Sequence, residues 1–132
     1  MLWLRKSKKG FTLIELMVVV AIIGVLALLG LRVYTGQQEK AKNAIVKANA
    51  GTVQTLIQGE LADKPGLSES DAVTLGLAAG LQNPYDSAGV KVQAESVADV
   101  EGVVEVDLTG TVFTITGLGN GPAIVITLTA RP

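Results

Sequence analysis

Glu15 stands where a charged side chain is least expected. From Phe11 to Leu31 only Thr12 and Glu15 are polar, and Leu16 to Leu31 are sixteen consecutive apolar or glycine positions with no cation among the helical neighbours of Glu15. A charge at mid-bilayer costs roughly 2.5–3.5 kcal/mol, and less near the interface. The carboxylate must therefore reach water, take up a proton, or meet a cation that another chain supplies. A second group of oxygens, Asp99, Glu101, Glu105 and Asp107, lies nearer the C-terminus. Calcium needs several oxygens converging within bonding distance, whereas alternate strand residues share a face without converging. A solvated acidic face, with no metal, is the expectation. Lys40, Lys42 and Lys47 could touch DNA, but Glu39 lies among them, and a solvated helix face accounts for them without it.

The chain has neither His nor Cys. That removes the commonest general base and metal ligand, any thiol nucleophile and any disulfide. Catalysis would have to run on carboxylates, Ser, Lys or Tyr, so a protein without enzymatic activity or cofactor is expected. Charge is divided along the chain. Arg5, Lys6, Lys8 and Lys9 precede the apolar run with no acid among them, while all twelve acidic residues lie beyond residue 10. The bulk of the protein is mildly acidic, which does not favour a nucleic-acid surface.

The element that must carry Glu15 is a helix apolar on every side. At about 1.5 Å per residue, 21 residues reach roughly 31 Å, close to the hydrocarbon thickness of a bilayer. The cations before it predict a cytoplasmic N terminus. A secretory signal would have a shorter core followed by a small-residue cleavage site, and Arg32-Val33-Tyr34-Thr35-Gly36 is a poor one. A plain one-pass anchor accounts for length and orientation but not for Glu15. Beyond the apolar run, the spacing of Ala41, Ile45, Ala48, Thr52 and Leu56 predicts more helix, with those residues as its packed stripe. One helix from about Thr12 to Leu61 is expected, ended by Asp63-Lys64-Pro65-Gly66. A short helix within Ser68–Gly80 follows, capped by Ser68 or Ser70, then a turn-rich loop from Asn83 to Gly89. Four strand-like runs complete the chain: Val90–Val97, Val103–Leu108, Thr111–Thr116 and Ala123–Thr129. In the second, Val104, Val106 and Leu108 alternate with Glu105 and Asp107, as in a half-buried antiparallel strand.

Lys8-Lys9-Gly10-Phe11-Thr12-Leu13-Ile14-Glu15-Leu16, followed by the apolar run, resembles the class III signal of type IV pilins and pseudopilins. The resemblance covers about residues 5–31. It implies that a prepilin peptidase and N-methyltransferase cuts between Gly10 and Phe11 on the cytoplasmic side and methylates the new amine of Phe11. It further implies that Phe11 and Glu15 of different copies meet during assembly, a carboxylate neutralising an ammonium in apolar surroundings. Donor and acceptor then lie at different places on each subunit, a heterologous contact of the kind that builds helical filaments. The chain departs from the family in carrying Arg32 where many members have Pro, and in lacking a C-terminal Cys pair; Gly24, Gly30 and Gly36 are alternative weak points in the helix.

The expected fold is α+β: a long N-terminal helix, its first half transmembrane, packed against an antiparallel sheet of about four strands. The expected organisation is a cleaved leader (1–10), a transmembrane and assembly helix (11–33) and a globular domain (34–132). The resemblance implies a structural pilus subunit serving adhesion, twitching motility or DNA uptake. It would reside in the inner membrane as a precursor and leave through a pilus assembly platform to an extracellular homo-oligomeric filament. A pseudopilin of a secretion or competence system, in a periplasmic pseudopilus, is the alternative. An uncleaved one-pass protein with a small binding domain is a third reading.

Overall fold

The computed structural model describes residues 10–89, 91–94 and 100–129. Its elements are α1 (Leu13–Asp63), α2 (Glu69–Ala78), β1 (Val92–Ala94), β2 (Val104–Thr109), β3 (Val112–Gly117) and β4 (Ile124–Thr129). The fold is α+β, as the sequence predicts. The chain divides into two compact units, Met1–Gln37 and Gln38–Pro132. Residues 1–9, part of the expected leader 1–10, lie outside the described residues.

In the first unit the described part is Gly10–Phe11–Thr12 and the beginning of α1, which runs without a break through Gly24, Gly30 and Gly36. No side chain from Phe11 to Tyr34 is buried: Phe11 is 81% exposed, and even Val19 is 45% exposed. By length and composition this helix can cross a membrane, and an apolar helix with no packed face needs lipid or other chains around it.

In the second unit α1 buries Val46, Asn49, Ala50, Val53 and Ile57, spaced three and four apart. This corrects the expected stripe. Ala41, Ile45, Ala48 and Thr52 are exposed, Ile45 by 43%, and only Leu56 of that set is half-buried. The reason is area: Val46, Val53 and Ile57 remove more apolar surface from water than Ala41, Ala48 and Thr52 can. Ala50, Val53 and Ile57 form one core with Val104 and Val106 of β2 and Phe113 and Ile115 of β3.

The helix after the Pro65-Gly66 break begins at a capping box. Ser68 Oγ accepts from the Asp71 N–H at 3.3 Å, and the Asp71 carboxylate accepts from the Ser68 hydroxyl at 2.6 Å and backbone N–H at 3.3 Å. The two bonds from Ser68, the hydroxyl's first, hold the Asp71 carboxyl below its ordinary range. Gly76 lets α2 approach β1, since a Cβ there would meet Val92 Cγ1 at 2.9 Å.

The sheet order is β1-β2-β3-β4. β2, β3 and β4 form antiparallel pairs, with Leu108 opposite Phe113 and Phe113 opposite Leu128. The β2–β3 hairpin turns in two residues, Gly110-Thr111, with positive φ at Gly110 alone (65°), the type II′ pattern. One detail differs from expectation: β1 pairs with β2 in parallel. A tight hairpin would have made this pair antiparallel, but nine residues of sequence separate Ala94 from Val104, more than such a turn uses. The expected strand Val90–Val97 is reduced to Val92–Ala94; Val90 and residues 95–97 lie outside the described residues.

That pairing overturns the solvated reading of Glu105. The parallel register sets Gln93 opposite Glu105, which is only 6% exposed and accepts a 2.9 Å hydrogen bond from Gln93 Nε2. Asp107 is half-buried and accepts from the Thr109 hydroxyl at 2.8 Å. Among the described residues no three acids gather as a metal site would require; Asp99 lies outside them.

The loop after α2 is organised by Asn83. Its Oδ1 accepts from the backbone N–H groups of Tyr85 (2.8 Å) and Asp86 (3.1 Å), while its Nδ2 donates to the Glu101 carbonyl at 3.1 Å. Gly102 lies against that amide at φ 87°, and any Cβ there would overlap Asn83 Oδ1. Holding Ala in a left-handed conformation costs about 1–2 kcal/mol. A loss of about 1 kcal/mol lowers the melting temperature of a small domain by roughly 4–8 °C. Gly102→Ala is therefore expected to lower the thermal midpoint by at least about 4–8 °C, followed by circular dichroism. An unchanged midpoint would show that this contact does not hold the loop.

Candidate functional site

Gly10 and Phe11 precede the first turn of α1 and are exposed, with open space where a Cβ on Gly10 would stand. The peptide bond between them is therefore outside any helix. Thr12 is the residue that starts the helix. Its hydroxyl oxygen accepts from the Glu15 N–H at 3.3 Å, and its own backbone N–H and hydroxyl both donate to Glu15 Oε2 at 2.9 Å. This is a capping box, T-x-x-E, in which two end groups of the helix satisfy each other. The spacing Thr12-Leu13-Ile14-Glu15 before an apolar run carries this signal, beside the expected pairing of Glu15 with Phe11 of another copy.

The box changes what Glu15 can do. Backbone N–H groups at a helix start have no partner within the helix, and in an apolar surround each would be costly. Glu15 answers one of them through Oε2. Both bonds end on Oε2; among the described residues no donor faces Oε1. Among the described residues the carboxylate is thus held through one oxygen, with the other unbonded. Thr12 and Glu15 are brought together at the helix start; Gly10 and Phe11 adjoin them in the chain.

A second polar cluster, which the sequence reading missed, lies wholly in the second unit. Asn43 of α1 donates through Nδ2 to the Asn120 carbonyl at 2.9 Å, and its Oδ1 accepts from the Asn120 N–H (3.0 Å) and the Tyr85 hydroxyl (2.8 Å). The Asn120 N–H also reaches the Tyr85 hydroxyl at 3.1 Å, and Asn120 Nδ2 donates to Glu39 Oε2 at 2.7 Å. Lys42 lies 4.9 Å above the Tyr85 ring, a cation–π contact. Of the three lysines weighed for DNA, Lys42 is engaged here, while Lys40 and Lys47 are exposed. No periodic signal marks Asn43 or Asn120, because their contacts span 77 residues of sequence.

The signature described as the prokaryotic N-terminal methylation motif matches residues 5–31. The fimbrial protein EcpC of Eikenella corrodens is 32% identical over 108 residues, which are 82% of this chain and 67% of that protein. The type IV major fimbrial protein FimA of Dichelobacter nodosus is 33% identical over 89 residues, covering 64% of this chain and 56% of its own length. The type IV major alpha-pilin of Moraxella bovis is 37% identical over 70 residues, covering 52% and 44%. The chain thus spans from 44% to 67% of the length of these relatives. No solved structure gives a significant match. An N-terminal signature and a relative matched across two thirds of its length agree, and the chain belongs to the type IV pilin family.

Proposed function

We propose that the chain is a prepilin, the structural subunit of a type IV pilus filament that serves adhesion, twitching motility or DNA uptake. The observation that carries this reading is the stretch of α1 from Leu13 to Leu31, apolar but for Glu15, without a packed face, and closed at its start by that carboxylate. Such a surface is compatible with water only if something covers it: the inner membrane for the precursor, and neighbouring copies for the assembled subunit. The relatives named as fimbrial proteins and pilins support the filament. Residues 1–10 are then a leader, 11–33 the membrane and assembly segment and 34–132 the outer domain. The family's peptidase and N-methyltransferase acts at Gly10 and Phe11, and an assembly platform extracts the product from the membrane.

Cutting after Gly10 creates an ammonium at Phe11 close to an apolar run, where an unpaired charge is expensive. The open Oε1 of Glu15 on a neighbouring copy is the group suited to meet it. The cap within each chain and the ion pair between chains use different oxygens of one carboxylate, so assembly does not require the helix start to be undone.

Processing is tested by intact mass. Protein from the native host is expected to begin at Phe11 with one methyl group on its amine, and a mature chain that still carries Lys8 and Lys9 contradicts the proposal. Replacing Gly10 by a bulky residue is expected to leave uncut precursor in the membrane.

The role of Glu15 is tested by two substitutions that separate its functions. Glu15→Leu removes both cap and charge; Glu15→Gln keeps an acceptor for the Thr12 N–H, as capping boxes allow, and removes only the charge. Both variants are expected to insert and to be cut, and the core of the second unit, which contains no residue before Val46, should melt as before. Breaking a buried charged pair costs roughly 3–5 kcal/mol, so both should be lost from the sheared-filament fraction while present in the membrane. Filaments of Glu15→Gln at normal yield would leave Glu15 a capping residue only.

A further inference from the structure

The chain has four asparagines, Asn43, Asn49, Asn83 and Asn120, and one of them is placed for a reaction with its own backbone. An asparagine side chain is converted to an acid when the next residue's backbone nitrogen attacks Cγ. Asn83 is followed by Pro84, which has no N–H to give up. Asn43 and Asn49 are followed by Ala44 and Ala50 inside α1, where the backbone is committed to the helix. Asn120 is followed by Gly121, which has no side chain to obstruct the approach, and both are exposed in the bend between β3 and β4.

We propose that Asn120 is a site of spontaneous deamidation, and that the reaction unlatches the β3–β4 loop from α1. The Gly121 nitrogen forms a bond to Asn120 Cγ and loses its proton; the Cγ–Nδ2 bond breaks and ammonia leaves, giving a five-membered imide. Water then opens either imide carbonyl to give Asp or isoaspartate at position 120. One water is consumed and one ammonia released, with no change of oxidation state.

The surroundings make the product matter. Asn120 Nδ2 donates to Glu39 Oε2 at 2.7 Å; the new carboxylate has no hydrogen to donate and sets two anions against each other at that distance. Isoaspartate does more, because it diverts the backbone through the side chain and takes the Asn120 carbonyl, the acceptor of Asn43 Nδ2, out of the main chain. Both products weaken the contacts that join residues 39–43 to the loop. The same hydrogen bonds restrain Asn120 beforehand, so conversion is slowed by the latch it destroys.

The experiment incubates the full chain in detergent at mildly alkaline pH and maps acid formation by peptide mass spectrometry, with isoaspartate scored separately. Conversion is expected first in the peptide containing Asn120, to disappear in Asn120→Gln, and to accelerate in Glu39→Ala, which frees the amide. Acid appearing first at Asn43, Asn49 or Asn83, or no conversion of Asn120 after the other sites have reacted, overturns the site. Asn120→Asp is then compared by hydrogen exchange with the unmodified chain. Faster exchange in the β3–β4 loop is expected, and unchanged exchange there overturns the latch.

Discussion

From Leu13 to Leu31 the chain presents apolar side chains to every side and buries none of them against itself. Apolar area left in water costs about 25 cal/mol per Å², so a surface of this extent has to be covered from outside the chain. That requirement orders the rest of the molecule. The segment can carry few polar groups, and the two found from Phe11 to Leu31, Thr12 and Glu15, bond each other at the helix start. A carboxylate that looks out of place in the sequence gives the first turn of this helix an acceptor.

The second unit meets a different difficulty. It has no disulfide, and its strands are short, with three residues in β1 and six in each of the others. The apolar core is small and is supplemented by polar side chains that tie distant parts of the chain: Asn49 to the Gln82 carbonyl, Asn83 to the Glu101 carbonyl, Asn43 to Asn120, and Gln93 to Glu105. The bonds of Asn49, Asn83 and Gln93 satisfy groups that burial would otherwise leave costly, while the Asn43–Asn120 bond is exposed. Asparagine recurs because one amide both donates and accepts, and can close a loop against a helix from either end.

How much of this was legible depends on the range of the interaction. The long helix, its end near Asp63, the Ser68 cap and three of the four strands follow from periodicity and turn residues, which are local. The buried stripe of α1 was misread by one position, because two adjacent stripes both carry the helical period and only tertiary packing selects Val46, Val53 and Ile57. The parallel β1 and the burial of Glu105 were not legible, since strand direction depends on the path of a connection and not on alternation. At the N-terminus the residue types were legible, but their local bonds were overlooked: Thr12 and Glu15 carry the capping signature in plain sequence, hidden by attention to charge.

On the proposed reading, the open oxygen of Glu15 meets the Phe11 amine of another copy. The most direct test uses filaments grown from two mixed populations of subunits, one with a nitrogen label at the Phe11 amine and the other with a carbon label at the Glu15 carboxyl. Only a contact between copies can join the two labels in solid-state NMR. The account predicts a through-space correlation between amine and carboxyl in the mixed filaments. Well-ordered mixed filaments without that correlation would contradict it.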